Sequence, residues 1–142
     1  MESGLITYLE AQTAITDIVG ASGSERIYML RRPEGADLPA LVITLEGREH
    51  QAHATAASGL ARSDIEIDCQ ATTYSGAKTL ADAVRGELDG FQTAAMGTAT
   101  VRRVSCVGEI DHYEQPLDES DSGVYHVFQD YDFWHLETVP TF

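Results

Sequence analysis

Lysine is almost missing from this chain. Lys78 is the only one, and all basic residues together number 9 against 23 aspartates and glutamates, for a formal net charge of −14. A protein that holds nucleic acid by its phosphates needs a basic face, and none can be assembled from so few cations. Anionic membrane surfaces are disfavoured for the same reason. Cysteine is nearly as scarce. Cys69 and Cys106 each sit in an apolar, alternating run, where such thiols are usually small buried hydrophobes. They could still meet if their strands paired. Long apolar runs are missing too: no stretch approaches the ~18 residues of a membrane span. The first twenty residues have neither a basic start nor an unbroken apolar core, so they read as neither signal peptide nor anchor. Linkers and internal repeats are absent. With 142 residues and 43% hydrophobic content, a single domain over 1–142 is expected.

What is present begins with an apolar stripe. Leu5, Leu9, Ile15, Ile18 and Val19 predict a helix from about Ser3 to Val19. Its spacing slips at Gln12–Thr13, which suggests two short helices, and the Gly20–Ser24 cluster ends it. A short strand is expected at Arg26–Arg32, stopped by Pro33, and a buried one at Ala40–Glu46. Gly47–Gly59, polar and small, reads as a long loop or extended hairpin tip. Ala61–Thr72 alternates cleanly. Ile65, Ile67, Cys69 and Ala71 face one way, and Asp64, Glu66, Asp68 and Gln70 face water.

Thr73 can cap a helix whose apolar positions are Ala77, Leu80, Ala81, Val84 and Leu88, ending at Gly90. Phe91–Gly97 then links to a strand over Thr98–Ile110. The three-residue spacing of Val101, Val104 and Val107 there predicts a bulge. Asp111–Gly123 reads as an acidic loop. Val124–Leu136 reads as a last strand with Tyr125, Val127, Tyr131 and Phe133 on one face, interrupted by Gln129. This order predicts an α+β fold: a mostly antiparallel sheet of about four to five strands with two main helices on one face.

Chemistry is hard to find in these residues. Asp64/Glu66/Asp68 and Asp130/Asp132 share strand faces, but acid–base catalysis needs environments that separate two pKa values. Opposite the apolar residues, water is expected to keep these carboxylates alike. His50 and His53 have a metal-compatible spacing only if helical, and they stand without further ligands. No nucleophile has a recognisable base partner, and the Gly20–Ser24 cluster follows a helix instead of preceding one, which is wrong for phosphate. No catalytic residue, cofactor or metal is expected.

The whole pattern nevertheless resembles one family. An N-terminal helix ends in ITDIVG and is followed by RIYMLRRPEGADLPALVI. The segment Ser58–Arg62 leads into IEIDCQATTYSGAKTLADAVRGELDGF, and the chain closes with VRRVSCVGEIDHYEQPLDESDSGVYHVFQDYDFWH. Together these resemble the tail completion, or tail terminator, proteins of long-tailed bacteriophages. The strand, the Ala71-Thr-Thr-Tyr74 junction and the amphipathic helix after it are the most specific block. Gln129 departs from the apolar residue expected at its position.

The resemblance implies a structural virion protein and not an enzyme. It implies a homo-oligomer, a hexameric ring, that ends the tail tube and offers the head and neck proteins a surface. Its partners would be the tube protein and a neck or head-completion protein. The genome would pass through the lumen unbound. Six spheres of this chain's size, each near ~37 Å across, would leave a hole of about 37 Å. Duplex DNA passes that, and an acidic wall would repel its phosphates. Loops this long without secondary structure are often functional. The two polar loops are therefore expected to carry partner contacts, through His50, His53, Ser58 and Leu60 on one and Asp111, Glu114, Asp118, Glu119 and Asp121 on the other. Another neck component, such as a stopper protein, is the nearest alternative. An acidic DNA mimic that inhibits a host enzyme is the alternative from a different class.

Overall fold

The computed structural model describes residues 1–20, 24–52, 57–116 and 123–139. Helices α1 (Glu2–Glu10) and α2 (Thr13–Val19) form the expected N-terminal pair, parting where the apolar spacing slips. Strands β1 (Ile27–Met29), β2 (Ala40–Ala52) and β3 (Ala57–Ala71) follow, then α3 (Tyr74–Leu88). Strands β4 (Gln92–Met96), β5 (Ala99–Glu114) and β6 (Val124–Leu136) complete the chain.

The strands form one six-stranded sheet in the order β1-β2-β3-β6-β5-β4. Only the β1–β2 pair is parallel; the other neighbours are antiparallel. The α+β class holds, but among the described residues the sheet has six strands where four to five were expected, and three helices stand in place of two main ones. The additional strand is β4, which the sequence suggested was a linker. Of the two readings for Gly47–Gly59, the extended hairpin tip holds, since β2 continues to Ala52 and β3 resumes at Ala57. The acidic loop starts later than expected, because β5 runs on through Asp111–Glu114. The expected bulge in β5 is present as register shifts between Val101 and Arg103 and between Cys106 and Gly108.

The helices cover one sheet face. Ile65, Ile67 and Cys69 of β3 and Val127, Tyr131 and Phe133 of β6 are fully buried against Leu80, Ala81, Val84 and Leu88 of α3 and Leu5 and Leu9 of α1. Burying each large apolar side chain contributes roughly 1.5–3 kcal/mol, which is what seats the helices. Thr73 caps α3, its hydroxyl accepting a hydrogen bond from the Gly76 amide at 3.0 Å. α1 approaches the β4–β5 turn so closely that a Cβ on Gly4 would collide with the Met96 carbonyl.

Gln129 points inward and is fully buried. Its amide nitrogen donates to the Ala81 carbonyl of α3 and to Glu109 of β5, both at 3.0 Å, and its oxygen accepts from the Tyr131 hydroxyl at 2.9 Å. A polar residue is tolerated at this core position because it is fully hydrogen-bonded. Both cysteines are free. Cys69 is buried, as expected, while Cys106 is only partly so.

Candidate functional site

No described helix covers the opposite face of the sheet, and the carboxylates collect there. Register sets Asp64 beside Asp132 and Glu66 beside Asp130 across β3 and β6. Glu46 sits at the irregular step in β2, between the Leu45 and Gly47 pairings. Carboxylate oxygens of Glu46, Asp64 and Asp130 all lie within 4.8 Å of one another. Arg62 answers Asp132 at 2.7 Å and Glu49 at 3.0 Å. The other acids have no such cation, and one oxygen each of Asp64 and Asp130 is buried with no hydrogen-bond partner among the described residues.

The crowding has an electrostatic consequence. Glu46 shares a hydrogen bond with Glu66, and with partial burial and the charges of Glu66 and Asp64 this lifts it to about 7. Burial, reinforced by Glu46, Asp64 and Asp132, also raises Asp130. The expectation that water would keep these acids alike is therefore corrected. Three hard oxygen donors could suit a divalent cation. The raised Glu46 pKa lets protonation relieve part of the same repulsion without a metal, and Glu46 is exposed to water.

Further along this face His126 is nearly buried. Its Nδ1 faces both Asp68 oxygens at 2.9 and 3.0 Å, and its Nε2 faces Glu114 at 3.1 Å. Burial alone would lower its pKa, but the bonds and charges of Asp68 and Glu114 outweigh burial and raise it. Phe128 stacks on its ring at 5.4 Å. Asp68 also accepts from Gln70, which accepts in turn from Arg32. Asp68 and Gln70, expected in water, are thus buried, because Arg32 and His126 fold over them. A shallow depression of about 400 Å³ lies between the Leu30–Arg32 segment and Glu114, His126 and Phe128.

The expected contact residues divide into two groups at opposite ends of the sheet. Ala52 pairs with Ala57 at one end, and Glu114 pairs with Val124 at the other. His50 lies exposed on β2, with Nδ1 at 2.6 Å from Glu137. Leu60 is half-buried on β3 opposite Leu136, and Ser58 lies on the same strand. Asp111 accepts from Tyr74 and pairs with Lys78 of α3, both at 2.7 Å. Glu114 holds His126. His53, Asp118, Glu119 and Asp121 lie outside the described residues. Sequence reasoning noticed the carboxylates of β3 and β6 but missed Glu46 and His126, whose roles depend on strand register.

Both sheet edges are stepped. β1 pairs with β2 only at Leu41–Ile43, with flanking bonds from the Leu41 amide to the Arg26 carbonyl and from the Leu30 amide to the Ile43 carbonyl. From Thr44 to Ala52 no described strand lies outside β2. At the other edge β4 pairs with β5 only from Ala99 to Arg103. Asp89 takes the Cys106 amide, and from Val107 to Glu114 no described strand lies outside β5.

The sequence profile of the family described as tail completion protein gp17 matches residues 3–136. The chain belongs to this family. Tail completion membership identifies it as a structural component of a phage-type tail and places it in the tail of the virion, as the sequence pattern suggested. A solved structure described as the virion of a native gene transfer agent particle contains a chain of similar fold. The two superpose with a TM-score of 0.63 at 16% identity, covering 96% of this chain and 94% of that one. At that identity the likeness bears on the fold, and it spans the whole tail completion domain. Among curated proteins none matches this chain. No described helix of this tail completion protein is long and apolar enough to cross a membrane.

Proposed function

We propose that this chain closes into a homohexameric ring on the last ring of tail tube protein, stops the tube there, and offers the head or neck its attachment surface. The observation that carries this reading is the tail completion profile, matched over nearly the whole chain. The fold is compatible with the task. Its two hairpin ends lie at opposite poles of one sheet, so a ring of upright copies would turn one pole toward the tube and the other toward the neck. His50, Ser58 and Leu60 belong to the first pole and Asp111 and Glu114 to the second; the proposal groups His53 with the former and Asp118, Glu119 and Asp121 with the latter by sequence alone. Each group contacts one partner in this proposal.

The chain does this without catalysis. Its perturbed groups Glu46 and His126 are engaged with neighbouring carboxylates. The genome passes through the lumen, and the net charge of −14 per copy disfavours phosphate contacts. The acidic-mimic alternative loses ground because the acids divide between faces: Glu46, Asp64 and Asp130 lie on the open one, while Glu109 and Asp111 turn toward α3.

Electron microscopy of tails assembled without this chain tests the role. Overlong tubes that fail to join filled heads are expected. Tubes of normal length that still join heads would refute it.

A further inference from the structure

The two stepped edges of the sheet are complementary in shape and charge. β1 stands out at the end of the sheet where the far edge is recessed along β5, and β4 stands out where the near edge is recessed along β2. Taking β2 as running down, the antiparallel order makes β5 run up and β4 run down. When two copies slide together in the same orientation, β1 of one enters the recess beside β5 of the other, antiparallel to it. In the same movement, β4 enters the recess beside β2, parallel to it. Both uncovered edges then gain partners, and unpaired strand edges are what association relieves.

Side chains agree with the fit. β1 ends in Met29, 48% exposed, and Leu30, which is 74% exposed and holds a positive φ of 68° that a non-glycine residue rarely adopts. The recess at β5 exposes the large apolar side chains Val107 at 59% and Ile110 at 67%. Charge separates the same way. Among the described residues, the guanidinium groups of Arg31, Arg102 and Arg103 have no hydrogen bond or ion pair, whereas Arg26, Arg32, Arg48, Arg62, Lys78 and Arg85 are all engaged. Arg31 follows the protruding β1 and would meet Glu109, Asp111 and Glu114 along β5. Arg102 and Arg103 flank β4 and would meet Glu46 and Glu49 along β2.

We infer that a second copy of this chain occupies these edges. The copies join head to tail, β1 and Arg31 against β5 at one level and β4 with Arg102 and Arg103 against β2 at the other. The two surfaces lie on opposite sides of one subunit, so the contact is heterologous and generates a ring when its rotation closes. This inference rests on the ring reading and adds which surfaces seal it.

Complementary charge reversal tests it, read as ring formation on isolated tail tubes so that a chain closing only on the tube is included. The Arg102→Glu/Arg103→Glu variant sets acid against acid between its own copies. The Glu46→Lys/Glu49→Lys variant sets base against base. Each alone should bind neighbours at least about ten-fold more weakly, because like charges at an interface are strongly unfavourable. Mixed in equal amounts, every junction is again opposite in charge, and rings of alternating copies should return. Circular dichroism and melting checks that each variant folds. Folded variants that form rings alone as the wild type does, or a mixture that restores nothing, would overturn this interface while leaving the ring intact. A wild-type chain that forms no ring on tubes would overturn the ring reading and the interface with it.

Discussion

The two faces of the sheet solve opposite problems. Under the helices the buried polar side chain has its partners: Gln129 ties β6 to α3 and β5, next to the fully buried Tyr131 and Val127. On the open face Glu46, Asp64, Glu66 and Asp130 are set together with no cation among the described residues, and a raised Glu46 pKa and two unpartnered carboxylate oxygens are the result. One face is built for stability. The other carries tension that folding alone does not require, which is common where a surface serves partners.

That contrast can be tested by breaking each face in turn. Ile67→Ala empties a fully buried position under α3 and should cost about 2–5 kcal/mol in urea unfolding. A cost under about 1 kcal/mol would mean that the helices do not pack as described. Gln129→Ala removes the donor to Ala81 and Glu109 and strands the Tyr131 hydroxyl, for a loss of about 1–3 kcal/mol. An unchanged midpoint would show that the position merely tolerates glutamine.

The open face should reveal itself through pH. Asp68 and Glu114 raise the His126 pKa in the folded chain above its ordinary 6.5, so the folded state binds that proton more tightly than the unfolded one. The stability it contributes is full below about 6.5 and is lost as pH rises through the raised folded value. Melting scans of His126→Gln should lack this component, and a variant with the wild-type profile would remove His126 from the account. Glu46 has the same sign with a different window. Its contribution is full below 4.5 and lost as pH rises through about 7. Glu46→Gln should therefore melt higher than wild type above pH 7, by a small margin because the group is largely exposed. A lower melting point there would contradict the crowding of the four acids.

The same contrast explains what could be read in the sequence. Elements that bury one face announced themselves. The alternation of Ile65, Ile67 and Cys69, the i, i+3, i+4 stripe of α3 and the slip at Gln12–Thr13 all follow from contact with the core. β4 did not, because Gln92, Thr93, Ala94 and Ala95 are exposed on an edge strand and bury no stripe. Residues 47–52 of β2 and 111–114 of β5 show no apolar stripe, because their charges stand clear of the core and only strand pairing reveals them as extended. Gln129 was visible as a break in an apolar face, but its three partners come from α3, β5 and β6, and no local pattern encodes that. The stepped edges depend on how far each strand outruns its neighbour, a property of register. Of the expected contact residues, His50, Ser58, Leu60, Asp111 and Glu114 can be placed, and their separation to opposite ends of the sheet is set by strand register.

The most direct measurement is a reconstruction of the shaft–capsid junction in intact particles. This chain should occupy a single closed ring of six copies there, adjoining copies sharing a stepped sheet edge. Its absence from that junction, or its presence as copies unrelated by rotation, would contradict the account.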